Sequence, residues 1–310
     1  MDTEARDSAT KDSSPYVLGI DLGGSAIKLG LFSSDGTCLE DTRVATPRPA
    51  TPEKVLATML EAIAGVDPEG AAIAIGVGSP GPVSSVVSMA HVSTNLDNWD
   101  NVALDDWLEE KTNKPVVLAN DANCAGMGEA WLGAGREFRN FIMLTLGTGV
   151  GGAIILDGKL FVGPKGTAGE LGLITIDLYG PECHSGNRGS LEQYVSLQGI
   201  RRQSGMEPDR LAHAAKAGDS FALEFWKNYG HLLGAGLANS IYVLNPEAIV
   251  IGGGIAASAE FFLPSTWTEI ERRVLPESRK DLQIITAELG AKAGIAGAAK
   301  LAWQRVEDAI

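Results

Sequence analysis

The chain has 310 residues, 45% of them hydrophobic and 21% charged, and a formal net charge of −14. These proportions belong to a folded globular protein; the acidic excess speaks against a nucleic-acid partner, and no run reaches the roughly 20 apolar residues of a membrane helix. The length exceeds what one hydrophobic core usually serves, so two lobes are expected.

Residues 1–15, MDTEARDSATKDSSP, are polar and acidic. They lack the apolar centre of a signal peptide and read as a disordered tail, which points to a cytoplasmic protein. Next, YVLGIDLGGSAIKLGLF (16–32) reads as two strands joined by a tight turn at Asp21-Leu22-Gly23-Gly24, and CLEDTRVA (38–45) as a third after Asp35-Gly36. A helix is expected from about Pro52 to Ala64, with the proline in its first turn. AAIAIGVG (71–78) is a buried strand, VALDDWLEEKTN (102–113) a helix and PVVLAND (115–121) a strand ending on polar residues.

The second half repeats this logic. FIMLTLGTGVGGAIIL (141–156) is again strand, glycine turn, strand, and Asp157-Gly158 turns into KLFVG. A long helix runs from about Ser220 to Leu244 and stops before Pro246. EAIVIGGGIA (247–256) is a strand running into glycines, LQIITAEL (282–289) a last strand and residues 295–308 a closing helix. The recurrence is a degenerate internal duplication, and alternating strands and helices indicate an α/β protein. We expect residues 16–119 with 296–310 to form a smaller lobe and 120–295 a larger one, with the ligand site in the cleft between them.

Three glycine loops end strands: DLGGSAIK (21–28), LGTGVGG (146–152) and IGGGIA (251–256). Glycine permits close approach of backbone N–H groups to phosphate, which an acidic chain would need to hold an anion. Each loop alone is more often a structural turn. Gly147-Thr-Gly-Val-Gly-Gly also fits the spacing of a dinucleotide fingerprint, but that motif requires a helix afterwards, whereas a strand and hairpin turn follow here. No Walker A sequence is present. Cys38, Cys124 and Cys183 are too few and too scattered for a disulfide framework and suit a reducing compartment.

DLGGSAIK, NDANCAGMGEAWLGAG, TLGTGVGGAII, GTAGELG and GNRGSLE stand in the order found in the ROK family (repressors, open reading frames, sugar kinases), which this sequence resembles from about Tyr16 to its end. The resemblance implies an α/β, actin-like ATPase (ribonuclease H-like) fold of two lobes, a homodimer, and phosphorylation of a hexose or hexosamine by ATP and Mg²⁺. Carried over by position, Asp21 would organise Mg²⁺ through water. Gly23, Gly24 and Ser25, with Lys28 closing the motif, would form the first phosphate loop. Gly147, Thr148 and Gly149 would form the second, and Gly253 and Gly254 would border the adenosine. Gly81 in Ser79-Pro-Gly-Pro82, Thr94 and Asn95 in Ser93-Thr-Asn-Leu96, and Asn120, Asp121, Glu170 and Glu192 would face the sugar.

The chemistry needs these residue types. A sugar hydroxyl is a poor nucleophile, and a positioned carboxylate accepts its proton as the bond to phosphorus forms; Asp121 is the expected base. Its bland alternative is a helix cap. Glu170 and Glu192 have oxygens suited to hydroxyls, or are ordinary surface acids. Trp99 and Trp107 have the shape of sugar platforms, but Trp107 lies in an amphipathic helix and reads as core.

The family's structural zinc is held by one His and three Cys. Here those positions are Leu173, Cys183, Ser185 and Ser190. Serine hydroxyls are poor zinc ligands, and His184, adjacent to Cys183, is awkwardly spaced for joint chelation, so no zinc is expected. Loss of the family's histidine also leaves the sugar open: glucose is the first expectation, at the 6-hydroxyl, with other hexoses and N-acetylhexosamines as alternatives. A sugar-responsive repressor would carry a helix-turn-helix domain ahead of the core, and about 15 residues are too few for one. A noncatalytic sugar sensor is the third reading, opposed by Asp121 and both phosphate loops.

Overall fold

The computed structural model describes residues 15–81, 83–84, 89–90, 99 and 102–308. The chain opens with β1 (Tyr16–Leu22), β2 (Ala26–Ser33), β3 (Cys38–Ala45), α1 (Pro52–Val66) and β4 (Ala72–Ser79). A small hairpin, β5 (Val83–Ser84) and β6 (Met89–Ala90), precedes α2 (Leu104–Thr112), β7 (Val116–Asn120) and α3 (Asp121–Leu132). Then come β8 (Phe141–Leu146), β9 (Val150–Leu156), β10 (Lys159–Leu160) and the helices α4 (Glu192–Val195), α5 (Leu197–Ser204), α6 (Pro208–Lys216) and α7 (Ser220–Leu244). The chain closes with β11 (Ala248–Gly252), α8 (Ala259–Arg273), β12 (Gln283–Thr286) and α9 (Ala293–Glu307).

The expected duplication is visible in strand order. One five-stranded sheet runs β3-β2-β1-β4-β7 and the other β10-β9-β8-β11-β12. Each therefore has an antiparallel hairpin that opens its half, with the next two strands added in parallel on the other side.

Both faces of each sheet are covered, as buried parallel strands require. Outside the first sheet, Val55, Met59 and Ile63 of α1 and Leu104 and Leu108 of α2 pack on Leu18, Ile20 and Ile75. Outside the second, Trp226 and Tyr229 of α7 meet Phe262 of α8, with their rings in contact. The inner faces are covered by two helices that also pack on each other. Ile295, Ala299 and Trp303 of α9 lie on Val17, Phe32 and Ala74, while Met127 of α3 lies on Met143, Ala153 and Val250. The α3–α9 crossing is close because both helices offer glycine. A Cβ at Gly297 would collide with the Cys124 carbonyl, and one at Gly128 with the carbonyl of Ala293.

Trp99 is 2% exposed and donates its indole N–H to the Ala50 carbonyl at 2.8 Å, so it is core and not a sugar platform. Trp107 packs against the same core. Among the described residues, no helix is long and apolar enough to cross a membrane.

Candidate active site

Asp121 begins α3, and β7 ends at Asn120. The sequence reading ran the strand through Asp121; the structure corrects this by one residue, and the reason is the cap. Asn120 takes the extended cap conformation, and its Oδ1 accepts from the amides of Ala122 (2.9 Å) and Asn123 (3.2 Å). Asp121 Oδ1 also accepts from Ala122 N–H at 2.8 Å. Capping is thus supplied by the neighbour, and the Asp121 carboxylate points into a cleft of about 490 Å³.

The cleft lies between the two sheets. Asp21 and Lys28 reach it from β1 and β2, Thr145 from β8, and Gly253 and Gly254 from the end of β11. Asp121 has solvent-accessible surface of its own, but protein walls the cleft around it. That confinement is the main reason its carboxyl is pushed up to about 6; its Ala122 amide bond opposes the rise, and the charges of Asp21 and Glu170 add to it. Asp21 Oδ2 is held by Lys28 Nζ at 2.8 Å. A carboxylate in this position is a hard oxygen donor of the kind Mg²⁺ takes alongside water.

The two glycine turns are anchored from different places. In the first, Gly23 N–H closes onto the Ala26 carbonyl at 3.0 Å, Thr46 Oγ1 donates to Gly23 O at 2.6 Å and Arg48 donates to Gly24 O at 2.7 Å. Ser25 sits exposed at its tip. In the second, Gly147 N–H closes onto Gly149 O at 3.0 Å, leaving Thr148 exposed. Leu197 N–H donates to Gly147 O at 2.8 Å, and Val150 N–H donates to Glu192 Oε2 at 2.9 Å. A Cβ at Gly147 would meet nothing within 4 Å, whereas one at Gly149 would lie 2.5 Å from Glu192 Oε2.

The expected sugar-facing residues divide into three groups. Asn120 Nδ2 donates to the Gly81 carbonyl at 3.0 Å, tying the two together, and Gly81 has φ +89°. Asn120 itself lines a second cavity with Leu118, Leu160 and Leu301. Glu170 precedes a single 3-10 turn, and burial pushes its carboxyl up, with the Glu192 charge adding to the shift and His184 opposing it. Asp121 thus feels the charges of Asp21 and Glu170, and Glu170 feels that of Glu192. Thr94 and Asn95 lie outside the described residues.

The loop at 183–190 corrects one expectation. Adjacency does not hold Cys183 and His184 apart: Cys183 Sγ lies 3.7 Å from His184 Nδ1, and a Glu192 oxygen completes a group within 4.8 Å. Three donors still do not make the closed four-ligand site of structural zinc. Burial favours the neutral Cys183 thiol, but the Ser185 and Ser190 hydroxyls and the Ser185 amide outweigh it and hold the thiol below its ordinary value. The Ser190 contact is a loose one, since its buried Oγ finds no partner at hydrogen-bond geometry. Asn187 braces the loop instead: its amide donates to Leu173 O at 2.8 Å, and its Oδ1 accepts from Thr175 at 3.0 Å.

Some of the cleft escaped the sequence reading. Gly290, Ala291 and Gly294 form part of its wall, and a Cβ at Gly294 would stand 2.9 Å from the Asp21 carboxyl carbon. The only signal was a run of small residues, LGAKAGIAGAA (289–299). Glu129 also reaches the cleft; it is fully buried and accepts from the amides of Ala134, Glu288 and Leu289 at 2.8–3.1 Å.

A family model for the ROK family matches residues 17–305. The chain belongs to the ROK family. A glucokinase of Thermotoga maritima is 34% identical over 314 residues, covering 94% of this chain and 98% of that protein. A ROK family glucokinase from Streptomyces griseus, solved with glucose and AMPPNP, superposes with a TM-score of 0.78 at 33% identity over 93% of this chain and 99% of that one. A ROK hexokinase from Thermus thermophilus gives 0.84 at 31% identity, over 94% and 99%. The fold is the actin-like ATPase fold of these kinases.

Proposed function

We infer that this ROK protein is an ATP-dependent hexose kinase of the glucokinase type, with Asp121 as general base. The observation that carries the assignment of the base is a carboxylate at the start of α3, facing the inter-sheet cleft, with a proton affinity raised to about 6. Such a group is ionised at neutral pH yet basic enough to take a proton from a hydroxyl during phosphoryl transfer. Glucose is the proposed acceptor, at its 6-hydroxyl. ATP lies between the two glycine turns, with the adenosine against Gly253 and Gly254.

The residues divide the work as phosphoryl transfer requires, by alignment and charge compensation. Glu170 and Glu192 accept from sugar hydroxyls, and Asn120, whose Nδ2 is tied to the Gly81 carbonyl, joins them at the sugar. Asp121 receives the proton of the attacking hydroxyl. Lys28 holds Asp21 in place. Asp21 would hold Mg²⁺, which would supply charge compensation for the triphosphate. No zinc is assigned a part: the loop it would brace is carried by Asn187, through Leu173 O and Thr175.

A coupled assay across glucose, mannose, fructose, N-acetylglucosamine and N-acetylmannosamine tests the reading. Glucose should give the highest kcat/KM, and product analysis should place phosphate on the 6-oxygen. Phosphorylation of none of these sugars, with intact ATP binding, would overturn the kinase assignment.

A further inference from the structure

We propose that His184 positions the Glu192 carboxylate for sugar binding, supplying from the 183–190 loop an imidazole in a protein that has Leu173 at the family's histidine position. The inference rests on the reading of Glu192 as a sugar ligand. Three observations carry it. First, Glu192 is engaged at both oxygens: Oε2 accepts from Val150 N–H at 2.9 Å, and Oε1 lies within ion-pair distance of His184 Nδ1, at 3.4 Å, the same nitrogen that lies 3.7 Å from Cys183 Sγ. A carboxylate fixed at both ends presents its remaining lone pairs in one direction, which is what discrimination among hydroxyl configurations demands.

Second, His184 is near both acids. Glu170 and Glu192 oppose each other electrostatically, and His184 is the group that relieves Glu170 of part of that repulsion. Third, His184 has no packing task. Its side chain is 65% exposed, whereas that of Glu192 is only 16% exposed. The loop's shape comes from elsewhere, through Asn187 to Leu173 and Thr175 and through the closure of Cys183 N–H on Asn187 O at 2.8 Å. Removing the imidazole therefore leaves the loop standing and frees the carboxylate, together with the Cys183 thiol that shares Nδ1.

The Val150 bond extends the effect. Val150 follows Gly149 directly, so a Glu192 that sugar and His184 hold in place also steadies the second glycine turn. Sugar occupancy and nucleotide grip are thereby linked through one carboxylate.

The test compares His184→Ala, His184→Asn and Glu192→Gln in the full-length enzyme, with glucose and ATP varied separately. His184→Ala should raise the glucose KM by about 3- to 5-fold, the upper part of the range for a partly exposed charged contact. Its kcat should stay within about twofold and its melting temperature should not change. His184→Asn, whose amide can donate near the Nδ1 position, should recover most of the loss. A glucose KM within twofold of wild type in His184→Ala, while Glu192→Gln raises it, would overturn the proposal and leave the sugar site intact. An unchanged KM in Glu192→Gln as well would overturn both. A parallel fall in melting temperature and kcat that His184→Asn does not reverse would make His184 a structural residue. One zinc per wild-type chain, lost in His184→Ala, would make it a metal ligand.

Discussion

The β1–β2 and β8–β9 turns occupy the same place in two sheets of the same strand order, but only the first carries its own charges. Asp21 and Lys28 flank that turn and pair across it at 2.8 Å. The second turn, Leu146-Gly-Thr-Gly-Val150, has no ionisable side chain and receives one from Glu192. Duplication supplied the same backbone device twice, and the chemistry diverged around it. One turn carries its own carboxylate–ammonium pair beside the cleft. The other is fastened, through the Val150 amide, to a carboxylate 42 residues on.

Asp121 stands between the two turns, and removing it has the largest expected effect. Asp121→Asn should lower kcat by roughly 10²–10⁴-fold, while the sugar KM changes far less. In the wild type, kcat/KM should rise with pH through about 6 and then level off, because the base must be ionised; the variant should lose that limb. The sign for stability is the opposite. The folded carboxyl holds its proton more tightly than the unfolded one, at about 6 against 3.8, so its contribution favours the fold at low pH and is lost as pH rises between those values. Asp121→Asn should therefore melt higher than wild type at pH 8 in a calorimetric scan. Near wild-type turnover in the variant would show that the base lies elsewhere.

The turns themselves can be separated by two glycine variants of smaller effect. Gly147→Ala adds a methyl where no protein atom lies within 4 Å. It should weaken nucleotide binding by roughly 10-fold in a calorimetric titration, about 1.4 kcal/mol, and leave the glucose KM alone. Gly149→Ala places its methyl 2.5 Å from Glu192 Oε2, so it should disturb both substrates. If both variants act on ATP alone, the Glu192 bond does not connect the two sites. Unchanged ATP affinity in Gly147→Ala would remove the second turn from the nucleotide site.

The smallest expected effect is none at all. A strong chelator in excess Mg²⁺ should change neither melting nor activity, and elemental analysis should find far less than one zinc per chain. A chelator-dependent fall in melting temperature would mean that Cys183, His184 and Glu192 recruit further ligands.

The parts legible in the sequence were those whose signal is local. Strand, glycine turn and strand can be read from 16–32 and 141–156. Helix α7 runs over Ser220–Leu244 because Asp219 caps its start and Asn245, just before Pro246, turns left-handed at its end. Helix α8 gave the opposite signal, since Pro264 lies inside it. Its tertiary packing, with Phe262 against Trp226 and Tyr229, outweighs that penalty. Asp121 was legible through its motif, but not its proton affinity, which comes from confinement and from acids distant in sequence. The bond from Val150 to Glu192 spans 42 residues and leaves no trace in either segment. Gly290 and Gly294 line the cleft by being small, a property with no chemical signature.

The seat of α9 on the first sheet bears on how the molecule is made. Val17, Phe32 and Ala74 leave the ribosome early, yet the residues that cover them, Ile295, Ala299 and Trp303, come out after both sheets. At about 5–20 residues per second, the interval is on the order of tens of seconds. Throughout that time one face of the first sheet is bare and apolar, and the groove along α3 that receives Gly297 is open. Helix α3, which carries Asp121, therefore lacks the partner that fixes it in place until α9 has been made.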